Sequence, residues 1–260
     1  MSISTAEALL KKKISEKALN KRVSQLNRDK KPKTKDPYVG VEIEFITPKN
    51  EKQLDEIFAK LGLQNHVTMS DDGSIEVYED NHTPCEIKVC VRESEVKRVL
   101  NRVGDALSLA RAYVNDTCGV HIHVDHRDCT GRNPVVTYNN LFKMQGLIFS
   151  IVDKERRNNQ FCQPNDNSDF YEQFAEQVEE DSRYFAINTL ALEKYKTIEV
   201  RAFHGTVDSE EIYHFAQVVI AATKSKKIET KVAKTSELGK IKKFPKHTRD
   251  YLSKKKRRAA

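Results

Sequence analysis

The stretch Tyr38-Val39-Gly40-Val41-Glu42-Ile43-Glu44-Phe45-Ile46 decides how the chain folds. In an extended chain alternate side chains point to opposite faces. Val39, Val41, Ile43 and Phe45 share one face; Gly40, Glu42 and Glu44 share the other. Three further segments repeat this alternation. In Ser74-Ile75-Glu76-Val77-Tyr78 the apolar pair Ile75 and Val77 opposes Glu76. In Gly119-Val120-His121-Ile122-His123-Val124-Asp125 the polar side carries His121, His123 and Asp125. In Thr197-Ile198-Glu199-Val200-Arg201-Ala202-Phe203 it carries Glu199 and Arg201. If these strands share a sheet, one face is core and the other gathers carboxylates, imidazoles and a guanidinium. Carboxylate oxygens suit hard cations such as Mg²⁺ or Mn²⁺, and an arginine suits a phosphate.

Charge is distributed unevenly. Residues 1–35 hold 11 Lys/Arg against 3 Asp/Glu, and residues 224–260 hold 15 against 3. The whole chain carries only +7, so residues 36–223 form an acidic body between two basic arms. An acidic body can hold cations, whereas the arms suit nucleic acid, an anionic surface or an acidic partner. The expected organisation is a basic N-terminal arm (1–35), a catalytic domain (36–223) and a basic, poorly ordered C-terminal tail (224–260).

The five cysteines, Cys85, Cys90, Cys118, Cys129 and Cys162, show no CxxC spacing. Neither a disulfide framework nor a cysteine zinc site is indicated, which fits reduced thiols in a cytoplasmic protein. No apolar run approaches the roughly 18 residues that would span a bilayer. Ala8-Leu9-Leu10 followed by Lys11-Lys12-Lys13 does not read as a signal peptide.

Helices are expected over residues 4–27, where the apolar spacing is imperfect, 51–61, 96–110, 137–152, 172–180, which is acidic, and 209–222; Leu54, Ile57, Phe58 and Leu61 recur at i, i+3, i+4 and i+7. A further strand, Cys85 to Val91, sets Ile87, Val89 and Val91 against Glu86, Lys88 and Cys90. Residues 156–169 read as a polar active-site loop. The fold class is α+β with a largely antiparallel sheet. Helices covering both faces of a parallel sheet would leave the polar residues no open face.

Taken in order, Gly40-Val41-Glu42-Ile43-Glu44-Phe45, Asp72-Gly73-Ser74, Gly119-Val120-His121-Ile122-His123-Val124, Arg183 with Asn188, and Ile198-Glu199-Val200-Arg201 resemble the amidoligase family. That family belongs with glutamine synthetase and glutamate–cysteine ligase. The resemblance spans residues 38–215 and leaves out both arms. It implies a curved antiparallel sheet with helices on one face and a metal and ATP site on the other. It also implies Glu42, Glu44, His121 and Glu199 as metal ligands, joined by Glu76 or Glu86. His123 is similar in position to a histidine that contacts nucleotide or substrate, and Arg201 to a phosphate-contacting arginine. Arg183 and Asn188 resemble further substrate or phosphate contacts. Arg201, His123 and Arg183 are thus the expected catalytic residues, with ATP and Mg²⁺ or Mn²⁺ as cofactors.

The chemistry implied is amide-bond formation. A carboxylate is a poor acyl donor; phosphorylation by ATP gives an acyl phosphate, from which an amine displaces phosphate. The large additional regions of glutamine synthetases are missing, so neither their substrate nor their ring assembly carries over. Two other readings remain, the first on the same Glu/His cluster and the second on the basic arms. A metal-dependent nuclease or phosphoesterase would place two metals in the cluster and nucleic acid on the arms. A nucleic-acid-binding or virion-associated protein, at work in a virus-infected cell, would keep a degenerate ligase fold.

Overall fold

The computed structural model describes residues 34–157, 159–241 and 244–258; the helix expected over 4–27 lies outside them. Strand β1 (Tyr38–Thr47) runs between β3 (Thr83–Arg92) and β4 (Gly119–Asp125). Beyond β3 lies the edge strand β2 (Val67–Ser70). Beyond β4 lie β6 (Thr197–His204) and β5 (Ile187–Asn188). The six-stranded sheet has the order β2-β3-β1-β4-β6-β5, and every neighbouring pair is antiparallel.

Helix starts follow local capping chemistry. Helix α1 (Glu51–Lys60) opens with a capping box: the Asn50 side chain accepts from the Gln53 amide, and Gln53 accepts from the Asn50 amide. Helix α2 (Val96–Leu109) buries Val96, Val99, Leu100, Val103, Ala106 and Leu107 along one stripe. Asn133 caps α3 (Pro134–Ser150), with proline in the first turn where its missing N–H costs nothing. A short α4 (Lys154–Arg157) follows, then α5 (Phe170–Glu180), capped by Asp169, and a short α6 (Ala191–Lys194). Asp208 caps α7 (Ser209–Lys224), and a last helix, α8, spans Lys246–Arg258.

The core forms where the apolar face of the sheet meets α2, α3 and α7. Val39, Val41, Ile43, Val120, Ile122, Val124, Ile198 and Val200 are all fully buried there. The facing rule read from β1, β3 and β4 therefore holds.

Two expectations are corrected. Ser74–Tyr78 is not a strand; it is an irregular stretch, and the edge of the sheet is Val67–Ser70 instead. Its apolar alternation has another use: Ile75 is buried with Ile46 and Cys118, and Val77 packs beside them in a satellite cluster apart from the main core. The described residues beyond Lys224 do not form a loose tail. Ile228, Val232, Leu238, Ile241, Phe244 and Leu252 join the main core, through a 3-10 turn at Thr235–Lys240 and through α8. No helix among the described residues is long and apolar enough to cross a membrane.

Candidate metal centre

The pairing register brings the polar residues together. Across β1 and β4, Glu42 lies opposite His121 and Gly40 opposite His123. Across β1 and β3, Glu44 lies opposite Glu86, and across β4 and β6, His123 lies opposite Glu199. A β-bulge sits here: Val120 pairs with Phe203 but Ile122 with Val200, so Arg201 and Ala202 together face His121. The extra residue turns the remainder of β6 about its own axis. Strict alternation would put Phe203 beside Glu199 and Arg201, yet it stacks on Phe215 in the core at a ring separation of 4.4 Å.

His121 is the hub. Its Nδ1 lies 3.2 Å from a Glu42 oxygen and 3.6 Å from a Glu199 oxygen, and its Nε2 lies 3.4 Å from Glu44. Two overlapping sets of ligand atoms result, Glu42–His121–Glu199 and Glu44–Glu86–His121, each with all atoms within 4.8 Å of one another. Ligands on a hard cation lie roughly 2.0–2.6 Å from it, so atoms on opposite sides stand about 4–5 Å apart. The spacing and the oxygen-rich donor set both fit such an ion. The imidazoles support the same reading: His121 Nε2 and His123 Nε2 are buried and make no hydrogen bond.

Neighbours hold these groups in place. Glu44 accepts from the Gly119 amide at 2.6 Å. Ser70 donates to Glu86 at 2.9 Å, and Lys88 pairs with it at 2.7 Å. Asn188 donates to Glu199 at 2.6 Å, and Arg201 reaches its other oxygen at 2.5 Å. The Thr197 hydroxyl lies 3.0 Å from His123 Nδ1, which fixes the ring. Gly40 makes room for that ring, since a Cβ there would stand 3.1 Å from His123 Cβ.

The electrostatics follow this layout. Burial pushes the Glu42 carboxyl up, but the His121 and His123 imidazoles beside it outweigh that and hold it well below the usual range. Burial acts likewise on Glu199, where His123, Arg201 and His121 prevail and lower it. Burial would lower His123, but Glu199 and Glu42 raise it. Glu86 goes the other way, pushed up first by burial and then by the Glu42 charge.

Not every expected residue joins the cluster. Glu76 is exposed on the irregular 74–78 segment, where its carboxylate accepts from the Tyr78 hydroxyl at 2.7 Å. Of the alternatives Glu76 and Glu86, only Glu86 lies in the centre. Asn188 touches Glu199 rather than open space. Arg183 is exposed, at the rim of a small cavity beside Glu44 and Arg201, with its guanidinium over the Tyr184 ring. Arg156, the first residue of the active-site loop expected over 156–169 but given no role of its own there, is buried against β6 with Nη2 donating to the Arg201 carbonyl at 2.8 Å. It lies on a four-residue helix in a polar stretch, where no periodicity marks it.

A family model described as "Putative amidoligase enzyme" matches residues 35–169. The chain belongs to this amidoligase family. The match takes in β1, β3 and β4, with Glu42, Glu44, Glu86, His121 and His123, and ends before Glu199 and Arg201 on β6. Among curated proteins, none matches the chain.

Proposed function

We propose that this amidoligase is an ATP-dependent carboxylate–amine ligase working through an acyl phosphate on a glutamine synthetase-like sheet. The observation that carries the reading is the convergence of Glu42, Glu44, Glu86, His121 and Glu199 on one face, with Arg201 held at 2.5 Å from Glu199. Mg²⁺ or Mn²⁺ held by these five residues would supply positive charge to the phosphate oxygens of ATP.

The chain's own groups have defined tasks in this scheme. Arg201 has a buried, fixed guanidinium, suited to meet charge on the transferring phosphoryl group. Removing a preorganised donor of this kind typically costs about 2.7–4 kcal/mol in the barrier. His123 borders a groove of about 580 Å³ together with Glu42, Lys88, Tyr38 and Tyr195, a size that suits a nucleotide. Its ring, anchored by Thr197, points Nε2 toward Glu42 and Glu199 at 3.5 and 3.7 Å. Phe161 and Tyr184 line a second, small cavity with Glu44 and His121, where their rings would limit the water that reaches an acyl phosphate.

The test is ADP release with Mg²⁺, stimulated only when a carboxylate and an amine are both present. Release above that of a Glu44→Ala control is expected; a broad panel of pairs giving none would overturn the reading. The nuclease and binding-protein alternatives lean on the basic arms, and residues 1–33 of these lie outside the described structure.

A further inference from the structure

Arg156 is a buried cation with little around it to balance its charge. It is 3% exposed. Nη2 spends one hydrogen bond on a backbone carbonyl, and the buried Nε meets no acceptor. Among the described residues no carboxylate forms an ion pair with it. A buried guanidinium left in this state is costly unless an anion completes it. Gly119 shows how closely it is fitted, since a Cβ at that position would stand 2.5 Å from Arg156 Nη2.

Arg156, Arg201 and Arg183 line one cavity of about 20 Å³ at the end of the metal cluster away from the groove. Glu44 and Asp72 also border it, so three guanidiniums face two carboxylates. Glu44 is already engaged by the Gly119 amide and by His121. That is room for about one water-sized group, so a flat, three-atom carboxylate end demands a smaller opening of the lining than a tetrahedral phosphate does.

We infer that Arg156, with Arg201 beside it and Arg183 at the rim, grips a carboxylate of the acid substrate, making Arg156 a specificity-determining residue. The inference rests on the ligase reading for the word substrate, but the pocket's affinity for a carboxylate can be measured without turnover.

The probes are sodium acetate and inorganic phosphate, each compared with sodium chloride at matched ionic strength and pH. Melting of the full chain is followed without ATP or divalent cation. Acetate is expected to raise the melting temperature above the chloride control, and phosphate to raise it less. Arg156→Gln should fold, since it removes an unbalanced buried charge, and should lose the acetate response. Arg183→Gln, at an exposed position, should weaken the response without abolishing it. If Arg156→Gln fails to fold, Gly119→Ala, which crowds the guanidinium, must blunt the acetate response instead. An unchanged acetate response in the variant that folds, or a phosphate response as large as that of acetate and lost in the same variant, overturns the inference. Failure of the ligase reading has a different signature: no shift with Mg²⁺–ATP in the wild type, whatever acetate does.

Discussion

Glu86 and Glu199 belong to one cluster but carry their charge differently. Glu199 has two partners, Asn188 and Arg201, which hold its carboxyl down together with the histidines. Glu86 stands across from Glu44, feels Glu42, and is pushed up. Glu199→Gln should therefore destabilise the metal-free protein by about 1.5–3 kcal/mol, the worth of a hydrogen bond to a charged group. Glu86→Gln should lose no more than about 1 kcal/mol, because Lys88 is half exposed and such pairs are weak. Both should cut the gain in melting temperature seen with Mg²⁺ plus ATP. Melting curves with and without Mg²⁺–ATP check this; equal losses in the metal-free state would contradict it. At this scale much was legible in the sequence. Alternation alone put Glu42, Glu44, His121, His123, Glu199 and Arg201 on one face. It misled for Glu76 because a loop docking two apolar residues also alternates. It was silent on Arg156 because one buried arginine leaves no pattern.

Elements were legible where periodicity was long, and less so where a tertiary contact set the geometry. The bulge opposite His121 exists only in the pairing of β6 with β4, so the β6 sequence alone could not reveal it. The contact of α7 with α8 is a second case. His214 on α7 is buried, stacks on Tyr251 at 4.0 Å and lies 3.1 Å from the Thr248 hydroxyl. Burial lowers its pKa to about 4, aided by His247 and Lys97, while Asp208 opposes the shift weakly. The exposed Glu210 carboxylate reaches it only at 4.0 Å. The unfolded chain takes up this proton near pH 6.5 and the folded chain only near 4. The contribution of His214 is thus present above pH 6.5 and is lost as pH falls through that window. Hydrogen exchange should show α8 amides losing protection below pH 6 before those of β1. His214→Phe should keep the stack and flatten this dependence; an unchanged pH profile in that variant would exclude His214 as the cause.

For the whole molecule, composition pointed the wrong way about residues 224–260. Fifteen Lys/Arg among them gave the appearance of a solvated tail. Six apolar side chains dispersed among the lysines, Ile228, Val232, Leu238, Ile241, Phe244 and Leu252, are nevertheless buried at 4% exposure or less. The lysines leave them free to pack. Lys143 on α3 donates to the Ile228 carbonyl, and Asn140 accepts from the Ile228 amide at 2.8 Å. Asn140 also donates to the Ala222 and Ser225 carbonyls at 2.9 Å, so α3 guides the chain as it leaves α7. At about 1.5–3 kcal/mol for each fully buried side chain, these six bring roughly 9–18 kcal/mol of burial. That is an upper estimate, because unfolded chains already bury part of their apolar surface. It still rivals the whole stability of a typical domain, about 5–15 kcal/mol. A chain ending at Lys224 would also bare the faces of α3 and α7 that these residues cover. It should accordingly be insoluble, or bind a hydrophobic dye without a cooperative melting transition. Removing only residues 255–260, the Lys/Arg cluster with its two final alanines, should leave the transition within a few degrees of the full chain. If the chain ending at Lys224 melts cooperatively near the full-length temperature, the C-terminal residues do not contribute to the core as argued.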